Sequence, residues 1–99
     1  MAYATSNPPK LVCPSFTDGT NHCSIWSYSS DDAATVVRVT GYITNGGDLG
    51  MKVGDIVLGT DADASPPALS VYRVVTVSAT APGAVDLADA VALGSTNTD

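Results

Sequence analysis

The chain contains ten aspartates but neither glutamate nor glutamine, and this omission constrains the fold more than any other feature of the sequence. Glu and Gln are the polar residues that helices carry most freely on their wet faces. Val, Thr, Tyr and Ile take up the space instead, and their stiff or bulky side chains suit a pleated surface. The sequence therefore predicts an all-β fold with less than about a quarter helix.

Turn signals divide the chain into short strand candidates. From Cys23 to Ser29 the residues alternate, with Trp26 and Tyr28 on one side of a strand and Ile25 on the other. The Val-x-Val pattern from Thr35 to Tyr42 reads as a second strand, after the break at Asp31-Asp32. The glycine-rich stretch from Thr44 to Met51 reads as an irregular connection with room for one helical turn. Val53-Gly54-Asp55 turns into the continuous apolar run Ile56-Val57-Leu58. The longest strand candidate runs from Leu69 to Ser78. Ala81-Pro82-Gly83 turns the chain, Val85 to Leu87 pairs back, and Val91 to Leu93 forms a last short strand. Six short strands suggest a small barrel or compact sandwich.

The organisation expected is an extended N-terminal arm (1–22), a β domain (23–93) and a polar tail (94–99). Asn7-Pro8-Pro9 forces the arm into an extended path. Its apolar residues Tyr3, Leu11, Val12 and Phe16 need something to lie against, either the parent domain or a neighbouring copy. Trp26 and Tyr28 are read first as core residues and second as interface anchors. With 99 residues there is one core, and a chain of this size buries only about 60 to 65% of its unfolded surface. Partners would add much to its stability.

Charge narrows the function. Only 14% of residues are charged, against about a quarter in an ordinary protein, so much of the surface is expected to be covered. The net charge is −6, with Lys10, Arg38, Lys52 and Arg73 as the cations. That balance argues against nucleic acid and anionic membrane as partners. Met1 to Pro9 lacks the charged segment and apolar core of a signal peptide, so synthesis in the cytoplasm is the default expectation.

No catalytic site is expected. The chain has one histidine, His22, in a polar stretch, and no nucleophile elbow. Asp61-Ala62-Asp63 resembles the opening of a calcium loop, but neither the Gly turn nor the distal Glu follows. Cys13 and Cys23 read as free thiols, with a disulfide or a metal site shared with His22 as alternatives. No cofactor and no resident metal is expected.

A family resemblance rests on four segments in order: Met1-Ala2-Tyr3-Ala4, Asn7-Pro8-Pro9-Lys10-Leu11, Ile25-Trp26-Ser27-Tyr28, and Gly50-Met51-Lys52-Val53-Gly54-Asp55-Ile56-Val57. Together they resemble small virion proteins of tailed bacteriophages and prophages, of the capsid decoration (cement) or head-fibre-base type. The stretch from Cys13 to Cys23 is longer than the link expected there. The resemblance implies a structural protein on the capsid surface, partnered by the major capsid protein and by copies of itself, most simply as a trimer. A head-fibre or spike base, with a head-fibre protein as partner, and a host-surface (glycan) binding module are the alternatives.

Overall fold

The computed structural model describes residues 3–15, 23–64 and 67–94 of the chain. Among these, the elements run β1 (Lys10–Cys13), β2 (Ile25–Ser30), α1 (Ala34–Val37), α2 (Gly46–Leu49), β3 (Ile56–Asp61), β4 (Ala68–Val77), β5 (Val85–Leu87) and β6 (Val91–Ala92). The strands make one mostly antiparallel sheet in the order β1-β2-β3-β4-β5, with β6 also on β4. The fold is all-β, as the sequence predicts.

One edge of β4 pairs, from Ala68 to Arg73, with the whole of β3, Ile56 with Arg73 through Asp61 with Ala68. The other edge takes β5 and then β6, so these two form one interrupted return strand. Val77 pairs with Val85 and Val74 with Leu87, and further along Val71 pairs with Val91. Across the interruption the ladder is continued by Ala88 N–H donating to Arg73 O at 2.8 Å.

The β2–β3 pair is parallel, with Trp26 beside Val57 and Tyr28 beside Gly59. Parallel neighbours need a long crossover, and residues 31–55 supply it. This crossover lies over one face of the sheet and buries Val37, Ile43 and Met51 against Trp26, Tyr28, Val57, Tyr72, Val74, Val85 and Leu87. Gly59 leaves room for a ring in this layer. A Cβ there would sit 2.5 Å from Cε1 of Tyr72.

The crossover corrects one expectation. Thr35 to Tyr42 is not a strand: it contains α1 and a series of turns, with Val37 N–H bonded to Ala33 O, Arg38 N–H to Ala34 O and Tyr42 N–H to Val39 O. A run placed between two parallel neighbours has to cross the sheet face, and it meets the ladder only at the far edge, where Gly41 N–H bonds Val85 O at 3.0 Å and Ile43 bridges Val85. Only Val37 of its valines is buried, while Val36 and Val39 remain exposed. The helical turn allowed for between Thr44 and Met51 is α2. It is held to the β4–β5 turn by Gly47 N–H to Gly83 O and Asp48 N–H to Pro82 O, both 2.9 Å. These two backbones approach so closely that a Cβ on Gly83 would lie 2.5 Å from the Gly47 Cα.

The N-terminal segment also differs from a free arm. Asn7 closes a turn, its N–H bonded to Ala4 O at 2.9 Å, and Lys10–Cys13 then joins the sheet as β1, antiparallel to β2, with Lys10 opposite Ser27 and Leu11 opposite Trp26. The sheet therefore includes part of the segment read as an arm. The polar tail lies almost wholly outside the described residues.

Candidate docking surface

Strand alternation gives the sheet two unlike faces. On the covered face Trp26, Tyr28 and Ser30 of β2, Val57 and Gly59 of β3, and Ser70, Tyr72 and Val74 of β4 are all buried. The alternate residues look the other way, and none of them is buried. Ile25, Ile56, Leu58 and Val71 are partly exposed, and Leu69, Val91 and Leu93 are open to solvent. The pairing aligns them into rows, Leu58 beside Val71 beside Val91, with Leu69 next to Leu93 through the 2.8 Å bond from Leu93 N–H. Directly opposed residues share a face, so these side chains form a continuous apolar strip. No described segment covers it.

Lys10, opposite Ser27, and Arg73, opposite Ile56, lie on this same face. They are two of the chain's four cations. Arg38 bonds Asp89 at 2.6 Å, but among the described residues neither Lys10 nor Arg73 has an ion-pair partner. Asp86, between the buried Val85 and Leu87, is the acid that points to this side.

The sheet edges are less suited to a partner. β1 has four residues, a lysine and a register shift between Leu11 and Cys13. β5 and β6 are separated by the break at 88–90. Short, charged and irregular edges resist strand addition.

The side chains singled out from the sequence separate into two groups. Trp26 and Tyr28 are only 4% and 5% exposed and belong to the core, the reading that the sequence ranked first. Tyr3 is half-buried against the rings of Tyr28 and Tyr42, at centroid distances of 6.0 and 5.7 Å, and its hydroxyl donates to Asn45 Oδ1 at 2.5 Å. It is thus docked on its own domain. Leu11 and Val12 are exposed on the edge strand. Phe16 lies outside the described residues, as does His22. Sequence reasoning missed the open face itself. Its residues were visible as alternating strand positions, but which alternate set faced the core depended on where the crossover lay.

The polar groups inside the molecule are engaged in structure. Asp55 is fully buried. Its Oδ1 accepts Ser24 N–H at 3.0 Å, and its Oδ2 accepts Trp26 Nε1–H at 2.9 Å and Lys52 N–H at 3.1 Å. The carboxylate ties the turn before β3 to the start of β2. Tyr42 donates to Asp32 Oδ2 at 2.5 Å, so in the 2.9 Å contact between the two tyrosine hydroxyls Tyr28 is the donor. Burial, then the Asp32 and Tyr28 hydrogen bonds, push the Tyr42 hydroxyl well above the ordinary tyrosine value. Burial, with a smaller effect from Tyr28, raises Tyr3 as well.

Nothing reactive is assembled from the described residues. Cys13 and Cys23 are exposed thiols, and Asp61 Oδ1 accepts Asp63 N–H at 3.1 Å in a local turn. No group of three His, Cys, Asp or Glu residues among those described is placed to hold a metal ion. A cleft of about 250 Å³ between α2 and the β4–β5 turn is lined by Gly47, Asp48, Ser78, Ala79 and 81–83. Asp48 is its one titratable side chain. Comparisons with protein-family models, curated proteins and solved structures returned no match.

Proposed function

We propose that the chain is a structural virion protein of a tailed phage, a decoration (cement) protein that binds the head exterior in many copies and stabilises it. The observation that supports this reading best is the open sheet face, an apolar strip carrying Lys10 and Arg73, which have no ion-pair partner among the described residues, on a chain of net charge −6. A continuous apolar face on a small domain marks a protein-contact surface. Weak contacts repeated over a capsid lattice sum to firm attachment. The sequence resemblance adds the kind of particle. A glycan-binding module is less favoured, since such sites use exposed aromatic platforms, and Trp26, Tyr28 and Tyr72 are all buried.

The test is co-sedimentation with expanded heads assembled from the capsid protein of the same genome. Wild-type protein should pellet with the heads. Val71→Asp, which places a charge in the strip without touching the core, should stay folded and remain in the supernatant. Equal pelleting of the two, or none by the wild type, would overturn the reading.

A further inference from the structure

Cys13 and Cys23 stand at the same corner of the open face. Cys13 lies opposite Ile25 on the β1–β2 ladder, and directly opposed residues share a face. The alternation of β2 runs on ahead of the strand, with Ser24 buried and Cys23 exposed, which puts Cys23 on the same side as Ile25. Beyond the register shift between Leu11 and Cys13, a serine carries the pairing further. Ser15 N–H donates to Ser24 Oγ at 3.0 Å, and Cys23 N–H donates to Ser15 Oγ at 3.1 Å. With Cys13 beside Ile25 and Ser15 beside Cys23, the two cysteines are diagonal neighbours across the ladder.

We infer that Cys13 and Cys23 form a redox lock, an intramolecular disulfide that fastens the edge strand β1 to β2. Diagonal neighbours have Cα atoms ~7–8 Å apart with the Cβ atoms nearer, and a disulfide accepts Cα separations up to ~6.8 Å, so closure takes a shift of about 1 Å. The part that shifts is an edge strand of four exposed residues with an irregular register. Both thiols are open to a reagent, and Cys13 Sγ is engaged only weakly, with Pro14 O at 3.7 Å. The oxidant is a low-molecular-weight disulfide of the glutathione class. One cysteine thiolate attacks it, forming a mixed disulfide and releasing one small thiol, and the second cysteine thiolate then displaces the other. Two cysteine thiols are oxidised, one small disulfide is reduced to two thiols, and the two cysteine protons end on those thiols. The bridge encloses residues 14–22 and restricts the unfolded chain more than the folded one. It stands independently of what covers the open face.

The experiment equilibrates the full chain in buffers of graded reduced-to-oxidised glutathione, with and without urea, then blocks free thiols and reads the products by mass spectrometry. Native wild type should lose two hydrogens in mass, with a peptide map joining Cys13 to Cys23. Cys13→Ser and Cys23→Ser should each stop at a single mixed disulfide. In a given buffer the ratio of bridged to reduced protein should be about tenfold or more higher in native protein than in urea, because the fold holds the thiols together while the unfolded chain must close the loop. Amide exchange over residues 10–13 should slow in the bridged form, since opening of β1 is then restrained. A native protein that carries glutathione on both cysteines overturns the inference, as does a disulfide-linked dimer. A ratio no higher in native protein than in urea, or exchange in β1 unchanged by the bridge, would do the same.

Discussion

Asp55 illustrates how one side chain can hold a turn and a strand together. Its carboxylate is fully buried and accepts three N–H groups, two from backbone and one from the Trp26 indole. Replacing it with alanine strands those donors, at a cost of about 1–3 kcal/mol for each that stays dry. Asp55→Ala should therefore lose about 3–5 kcal/mol in urea unfolding, and Asp55→Asn, which keeps one acceptor oxygen, should lose less. A loss under about 1 kcal/mol for the alanine variant would show that water replaces the carboxylate. Tyr42 gives a pH expectation. Its folded-state value lies above that of an unfolded tyrosine, chiefly through burial and the Asp32 hydrogen bond, so the unfolded chain releases this proton first. The contribution is fully present below about pH 10, the ordinary tyrosine value, and is lost as pH rises beyond it. Tyr42→Phe should be less stable near neutral pH but lose stability less steeply above about pH 10, followed by unfolding at a series of pH values. Asp55 was readable only as part of a turn. Its hydrogen-bond partners at Ser24 and Trp26 come from a strand about thirty residues away, beyond the reach of local pattern.

At the scale of the elements, the sheet is a two-sided object, and adjacent strand positions should respond very differently to truncation. Val57 is 0% exposed beneath the crossover, while its neighbour Leu58 looks to the open face. Val57→Ala removes two buried methyl-sized groups and leaves a cavity, for about 2–3 kcal/mol. Val71→Ala, on the open side, should cost less than about 1 kcal/mol in the dilute monomer. Equal losses in chemical denaturation would mean that the open face is covered in the monomer. The strands themselves were largely legible: β2, β3, β4 and β5 stand where alternation and turn residues put them. The misreading of Thr35 to Tyr42 has a specific cause. Val36, Val37 and Val39 have the β-branched character and spacing of a strand, and propensity cannot register that both edges of the pair flanking this segment are already taken by β1 and β4. The parallel pairing of β2 with β3 is a long-range choice that no local signal carries. The Lys10–Cys13 strand was hidden for a related reason: the Pro8-Pro9 pair signals extension, and an extended segment pairs only if an edge lies within reach.

For the whole molecule, folding and association should be linked through the same surface. A chain of 99 residues has a thin margin of stability, because so small a domain leaves much of its apolar surface in water. Here part of that surface lies on the open side of the sheet, while Trp26, Val57 and Tyr72 on the other side are closed in the core. Anything that binds the folded state and not the unfolded one raises apparent stability with concentration. If copies bind one another through the open face, the melting temperature of the wild type should climb as protein concentration is raised, by about 4–8 °C for each kcal/mol of net association free energy gained per chain. Val71→Asp removes the association and leaves the core intact, so its melting temperature should be the same at every concentration and should match the wild type at high dilution. The comparison separates two origins of stability that a single melting curve merges. A wild-type midpoint that does not move over a hundredfold range of concentration would place all of the stability in the monomer, and the open face would then act only on partners other than the chain itself.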